Sequence, residues 1–307
     1  MKRIARALLL VFAALQVAAQ AAAPPAPQKA ILVTGASTGI GRKITERLAA
    51  DGYFVYAGAR KEADLKALGE IKNVQPIRLD VTKPEEIDAA VATVTQGGKG
   101  LYGLINNAGI AAVGSLADTK LEEFDLVMAV NVAGPYRMTR AFLPLILAQK
   151  GRIVTIGSIS GILASPDLGA YSMSKHAMEA FTDSLATQLK DTGVQVIVVE
   201  PGNYDSQIGA NAAKREGTDN SRADRSKYKE PDEVAAAVAQ SLAETAPKRR
   251  YMVVPNQHEA EVTIRKQIEQ LVQLNEGQPY AYDRDELAKM LDAALATSRP
   301  KTKPAAN

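Results

Sequence analysis

Tyr171 and Lys175 stand four positions apart in Tyr171-Ser172-Met173-Ser174-Lys175. The surrounding stretch, Leu168 to Lys190, reads as a strong helix stopped at Gly193. Residues four apart on a helix share one face. A free tyrosine loses its proton near pH 10, and a neighbouring ammonium favours the phenolate and pulls that value down. The pair therefore describes an acid/base able to work near neutral pH, as carbonyl reduction requires. A surface Tyr–Lys pair has the same spacing, so the pair needs company. Ser158 follows the apolar run Arg152 to Ile156, which reads as a strand. The carboxyl ends of parallel strands are where α/β proteins bind ligands. A hydroxyl there can hydrogen-bond an oxygen on which charge builds, or merely satisfy a turn. Asn131 lies in a long helical stretch from about Lys120 to Gln149. Asparagine is a poor helix former, so it either serves the site or bends the helix by bonding to the backbone.

A second group of residues suits a different task. Ile31, Leu32 and Val33 read as a buried parallel strand, and Gly35, Gly39 and Gly41 follow with G-x-x-x-G-x-G spacing. Arg42 to Asp51 then has helix composition. Strand, glycine turn and helix open a dinucleotide-binding unit. Glycine lets the backbone turn sharply and approach a pyrophosphate. A helix beginning near Gly39 points its free N–H groups at the phosphates. An ordinary glycine-rich turn has the same appearance, so the rest of the chain must decide.

The elements that position these residues alternate. Strands are expected at Tyr53 to Ala59, Asn73 to Leu79, Leu101 to Asn106, Arg152 to Ile156, Val194 to Glu200 and Tyr251 to Val254. Helices are expected at Glu62 to Glu70, at Pro84 to Gln96 and across Lys120 to Gln149, where Pro144 is expected to kink the helix or start a new turn. Another helix opens at Pro231-Asp232-Glu233. Gly202 to Glu230 reads as one long loop, functional or mobile. This pattern is the doubly wound α/β (Rossmann) architecture: a single parallel sheet of about seven strands, with helices on both faces. The domain spans 28–255. Two amphipathic helices, His258 to Leu274 and Asp283 to Leu295, form a C-terminal helical extension over 256–297, and 298–307 reads as a disordered tail.

Composition excludes several classes. There is no cysteine among 307 residues, hence no disulfide and no thiolate chemistry. His176 and His258 are the only histidines and make no metal site. Lys2, Arg3 and Arg6, the apolar run Ala7 to Ala19 and Ala19-Gln20-Ala21 have the layout of a secretory signal peptide over 1–21. That implies export to the periplasm and no membrane span in the mature form. An uncleaved anchor, or a cytoplasmic protein with a start set too far upstream, are the alternatives. Without those three bases, the 37 basic residues of the chain fall level with its 34 acidic ones. The basic balance is therefore no argument for nucleic acid.

Taken together, the motifs resemble the short-chain dehydrogenase/reductase family over roughly Gln28 to Pro255. They are Thr34-Gly35-Ala36-Ser37-Thr38-Gly39-Ile40-Gly41, Asp80-Val81, Asn106-Asn107-Ala108-Gly109, Asn131, Ser158, Tyr171 to Lys175, and Pro201-Gly202. They come in the family's order, with Tyr171 thirteen positions after Ser158. The stretch from Gly157 through Pro166 to Lys175 is most similar to the hydroxysteroid and retinol dehydrogenase branch. The resemblance implies hydride transfer between a nicotinamide cofactor and a carbonyl or alcohol. Tyr171 would be the acid/base, Lys175 would tune it and hold the nicotinamide ribose, and Ser158 would steady the oxygen. Asn131 would hold a water in a proton relay to the lysine. It further implies a cofactor bound by Gly35, Ser37, Thr38, Gly39 and Ile40 at the phosphates, with Asp80 and Val81 at the adenine. Asn107, Ala108 and Gly109 would hold the sheet and the adenosine ribose. Pro201, Gly202 and Ser206 would lie at the nicotinamide, Ser206 bonding its carboxamide. A homodimer or homotetramer paired through the long helices is the implied assembly. The stretch Gly202 to Glu230 would be a substrate lid, with Tyr204, Ile208, Tyr228 and the helices beyond Pro255 lining an apolar pocket. The competing reading is a cofactor-binding redox sensor without turnover.

The cofactor type follows from charge. NAD enzymes of this architecture commonly place a carboxylate at the end of the second strand for the ribose 2′-hydroxyl. Here Ala59 is followed by Arg60 and Lys61, and a guanidinium suits a 2′-phosphate. NADP(H) is expected over NAD(H). Arg60→Ala should weaken NADPH binding far more than NADH binding in a fluorescence titration; equal losses for the two would remove the assignment.

Overall fold

The computed structural model describes residues 28–217 and 228–298. The signal-like segment 1–21 and the tail beyond Ser298 lie outside the described residues. Seven parallel strands form one sheet: β1 (Ala30–Val33), β2 (Phe54–Ala59), β3 (Val74–Arg78), β4 (Gly103–Asn106), β5 (Arg152–Ile156), β6 (Gln195–Pro201) and β7 (Arg250–Val253). Their order is β3-β2-β1-β4-β5-β6-β7. The chain reverses its direction of winding between β1 and β4, and this is where such sheets open a crevice at their carboxyl ends.

The helices between them are α1 (Gly39–Ala50), α2 (Glu62–Gly69), α3 (Pro84–Gln96), α4 (Leu121–Asn131), α5 (Ala133–Ala148), α6 (Gly169–Gln188), α7 (Ile208–Glu216) and α8 (Asp232–Ala243). Alternation along the strands divides the core. Ile31 and Val33 of β1 face Ile44 and Leu48 of α1 and Val234, Val238 and Leu242 of α8. Ala30 and Leu32 face the other way, toward Ile87 and Val94 of α3 and Met138, Phe142 and Ile146 of α5.

Three expectations change. The stretch Lys120 to Gln149 is two helices, α4 and α5, broken at Val132 (φ −112°, ψ −61°). Pro144 lies inside α5, which continues to Ala148, so it does not start a new element. Pro135 explains the position of the break. It stands four residues after Asn131 and has no N–H to give to the Asn131 carbonyl. The second change is α7, inside the stretch read as a loop. Its sequence, Ile-Gly-Ala-Asn-Ala-Ala-Lys-Arg-Glu, is alanine-rich, which favours helix, but Ile208 is its one large apolar residue. It ends on Gly217 at φ +68°, a left-handed helix stop. The third concerns the extension. The helices α9 (Gln257–Asn275) and α10 (Arg284–Ser298) are present, but their apolar residues Ile264, Ile268, Leu271 and Leu291 are exposed. Ser298, expected in the tail, is the last residue of α10.

A charged cluster ties β6, β7 and α6 together. Arg250 of β7 bonds Glu179 (3.0 Å) and Asp183 (2.7 Å) of α6 and lies 3.7 Å from buried Glu200 of β6. Burial pushes the Glu200 carboxyl up to about 8, and Glu179 beside it adds to the rise against the pull of Arg250. The folded value then exceeds the unfolded value near 4.5. Below that pH the group's contribution is complete, and it is lost as pH climbs toward 8. The loss is about 1 kcal/mol per pH unit across that window. Glu200→Gln should remove the slope. Its Tm should lie close to the parent's near pH 5 and above it by pH 8; parallel Tm profiles would show that Glu200 does not titrate in this range.

Candidate active site

The glycine turn is shaped by close approach. Gly35 has φ +64°, and a Cβ there would lie 2.9 Å from the Ala108 Cα. A Cβ on Gly41 would lie 2.2 Å from the Gly35 carbonyl oxygen and 2.3 Å from the Asn107 side-chain nitrogen. Gly39 opens α1 at φ +53°. Thr38 precedes it as the N-cap without a side-chain cap bond, so the first N–H groups of α1 are not taken up by its hydroxyl. Thr38 is exposed, Ser37 is half-exposed, and half-buried Ile40 packs on the core.

This turn is held by the segment after β4. The Asn107 amide donates to the Thr34 and Gly35 carbonyls at 2.8 and 3.0 Å. The backbone N–H groups of Asn107 and Ala108 both donate to the Thr34 hydroxyl at 3.0 Å. Asn107 and Ala108 thus tie the turn after β4 to the turn after β1. The Thr34 hydroxyl is their shared acceptor, a role that its place in the motif did not disclose.

Tyr171 lies in the first turn of α6 and Lys175 one turn later. The Lys175 Nζ is 5.5 Å from the Tyr171 ring centroid and donates to the Ile156 carbonyl at 2.8 Å. Lys175 is 6% exposed. Burial brings its ammonium down to about 8, while Glu179, one turn further on, holds it up. Ser158 stands two residues beyond β5 and caps a short 3-10 turn, Ile159–Gly161, by accepting the Ser160 N–H at 3.0 Å. Its own O–H proton is not used by that bond.

Asn131 ends α4. Its side-chain oxygen accepts the Ile110 N–H at 2.9 Å, and its amide donates to the Ile110 carbonyl at 2.8 Å and the Ser174 hydroxyl at 2.9 Å. Ser174 in turn donates to the Tyr171 carbonyl at 2.6 Å. The side chain is therefore a strap between the Gly109 turn and α6. The Asn131 backbone carbonyl is the one that Pro135, lacking an N–H, cannot bond. Gly109 lies against the strap: a Cβ on it would be 3.5 Å from the Asn131 Oδ1 and 3.9 Å from the Lys175 Nζ.

A cleft of about 600 Å³ opens at the carboxyl ends of the strands. Ser158, Tyr171, Pro201, Gly202 and Ser206 all line it, so these five predicted residues share one space. A Cβ on Gly39 would lie 3.6 Å from Ser206, which puts Ser206 against the glycine turn. Arg60 stands at the end of β2, its side chain 65% exposed, 3.7 Å from Asp80. Burial pushes the Asp80 carboxyl up, but hydrogen bonds from Thr82 and the Arg60 and Lys83 charges outweigh it, and it lies below the usual carboxylate value. Arg78, not singled out from sequence, braces this corner by donating to the Arg60 carbonyl at 2.7 Å and to Glu62. The Val81 side chain is 5% exposed and packs beneath Gly134, so only its backbone is available to a ligand.

The expected apolar lining is corrected in part. Ile208 lines the cleft. Tyr204 touches it but is 1% exposed, and its hydroxyl donates to Glu233 of α8 at 2.6 Å, so it anchors the loop. Neither Tyr228 nor the helices beyond Pro255 line the cleft; Val113, Leu163 and Leu168 do. Those three follow β4 and β5, where irregular loops carry no periodic signal.

Residues 29–217 match the family model described as short chain dehydrogenase. The mitochondrial D-beta-hydroxybutyrate dehydrogenase of Mus musculus is 40% identical over 192 residues, covering 59% of this chain and 56% of that protein. Retinol dehydrogenase 5 of Mus musculus is 35% identical over 189 residues, covering 60% of this chain and 59% of that protein, in line with the narrower resemblance. The chain thus matches little more than half the length of these relatives. An alcohol dehydrogenase from the archaeon Thermococcus sibiricus, solved with 5-hydroxy-NADP, superposes with a TM-score of 0.65 at 27% identity, covering 74% of this chain and 96% of that one. Other similar structures were solved with NADP or with NAD. With its family motifs gathered at one end of a parallel sheet and the match running unbroken through them, the chain belongs to the short-chain dehydrogenase family.

Proposed function

We propose that this protein is an NADP(H)-dependent oxidoreductase that interconverts a carbonyl and an alcohol. The observation that carries the reading is the shared cleft: Ser158 and Tyr171 line it, buried Lys175 lies beside Tyr171, and Ser206 of the same cleft lies against Gly39 of the glycine turn. The glycine turn fits a dinucleotide: without a Cβ, Gly35 and Gly41 pack directly on Ala108 and Asn107, and no side chain caps the first N–H groups of α1, which suit a pyrophosphate. Exposed Arg60, with no carboxylate at the end of β2, supports NADP(H) over NAD(H).

The bound cofactor supplies the hydride to the carbonyl carbon, or accepts it from the alcohol. Tyr171 gives its proton to the carbonyl oxygen in reduction and takes it back in oxidation. The Lys175 ammonium stabilises the phenolate left on Tyr171. Ser158 donates its free O–H proton to the same oxygen as charge develops there. The Asn131 carbonyl, freed by Pro135, holds the water through which Lys175 and Tyr171 recover a proton. Ser206 and the Pro201-Gly202 turn hold the nicotinamide end.

The lining also bears on the substrate. Val113, Leu163, Leu168 and Ile208 are apolar, and Asp167 is the one charged side chain among the described residues of the cleft. An acid repels a carboxylate, so a neutral, largely apolar ketone, aldehyde or alcohol suits this space. For assembly, Met128, Val132, Tyr136 and Phe181 of the α4–α6 face line an open apolar groove, which supports a homodimer or homotetramer paired there.

The test is NADPH consumption against a panel of neutral and carboxylated carbonyl compounds, with the reverse reaction run from alcohols and NADP⁺. Turnover is expected with neutral substrates, and Tyr171→Phe should lower kcat by about 10²- to 10⁴-fold with NADPH binding retained. A folded protein that binds NADPH and turns over nothing in either direction would instead indicate the redox sensor. Failure to bind NADPH would overturn the reading of the glycine turn.

A further inference from the structure

Beyond residue 217, where the family match ends, a second acid besides Glu233 reaches back to the cleft loop. Glu259 lies in the first turn of α9 and is 9% exposed. Its carboxyl Oε2 accepts the Asn203 N–H at 2.8 Å. Its Oε1 accepts from the Asn256 side-chain nitrogen at 3.0 Å, and its own backbone N–H donates to the Asn256 Oδ1 at 3.0 Å. Asn256 is the N-cap of α9, and its amide in turn steadies the Glu259 carboxyl. One turn on, buried Thr263 donates its hydroxyl to the Glu259 carbonyl at 2.7 Å. The carboxyl is therefore held from two sides and aimed at one backbone N–H.

That N–H belongs to the loop that carries the nicotinamide end in the function proposed above, and the inference rests on that reading. The Gly202 N–H donates to the Val253 carbonyl of β7 at 2.8 Å. A Cβ on Gly202 would lie 2.2 Å from the Glu259 Oε2, so the glycine is what lets the carboxyl in. Residues 202 and 203 are thus clamped together by β7 and α9. Three residues later Ser206 packs against Gly39. Glu259 does not line the cleft itself. We infer that Glu259 is a positioning residue: it fixes the backbone of the Gly202–Ser206 turn against the glycine turn, and so sets the affinity for the nicotinamide half of the cofactor alone. The adenine half, at Arg60 and Asp80 on the far edge of β2 and β3, is outside its reach.

The test compares two ligands on the full chain. NADPH carries the nicotinamide; 2′,5′-ADP carries only the adenine half. Glu259→Ala should weaken NADPH about tenfold, as expected for a lost hydrogen bond to a carboxyl, and leave 2′,5′-ADP within about twofold. Glu259→Asp keeps a capping carboxyl but is one methylene short of Asn203, and should behave like Glu259→Ala. Glu259→Gln keeps an acceptor and should recover most of the NADPH affinity. Thermal melts of each variant distinguish a general loss of fold. If Glu259→Ala is unfolded, the Asp and Gln variants decide the matter. Equal weakening of both ligands, or no change in NADPH affinity for the Ala and Asp variants, would overturn the role of Glu259. A parent protein that binds neither ligand would overturn the cofactor reading first, and this role with it.

Discussion

The bonds between Thr34 and the Asn107 segment are what the rest of the site depends on. β1 and β4 are neighbours in the sheet but 70 residues apart in the chain, and the winding reverses between them. Their two following turns must be held in register for a dinucleotide to lie across them. The Thr34 hydroxyl accepts two backbone N–H groups, and the Asn107 amide bonds two carbonyls of the opposite turn. These groups are half-buried or better, where an unmet polar group costs on the order of 1–3 kcal/mol. The polar lock and the glycine packing are therefore one constraint. Gly35 and Gly41 have no Cβ because Ala108 and Asn107 occupy that space.

Electrostatics then act on α6 from both ends. Lys175 is buried beside Tyr171, and its desolvation would favour a neutral amine. The Ile156 carbonyl and Glu179 oppose that loss, one as a direct acceptor and the other as a charge one turn away. Glu179 is shared in turn with Arg250 and crowded by Glu200, whose carboxyl is pushed upward. The cluster that joins β6, β7 and α6 is thus coupled by charge to the helix bearing Tyr171 and Lys175. At the other end, Asn131 ties α6 to the Gly109 turn through Ser174.

Much of this was legible in the residue order. The strand and helix periods were strong because each element buries one face, and the parallel order followed from their alternation. Ser158, Tyr171 and Lys175 announced themselves by type and spacing. Less legible was the break at Val132. Pro144 drew the eye, yet a proline inside a well-packed helix was accommodated, while Pro135 acted by withholding a donor from Asn131. α7 was hidden because alanine favours helix without marking a buried face.

The sequence by itself determined the fold class, the glycine turn, the placing of Tyr171 and Lys175 on one helix face and the basic end of β2. These depend on short-range spacing and on residue types whose conformational or chemical properties travel with them. Only the tertiary structure decided that the Asn131 side chain is consumed as a strap and that Tyr204 is an anchor. The same holds for the reach of Glu259 back to Asn203 across 56 residues. Such contacts join segments distant in the chain. Their partners are chosen by the packing of the sheet and its helices, and no local pattern in one segment names the residue it meets in another.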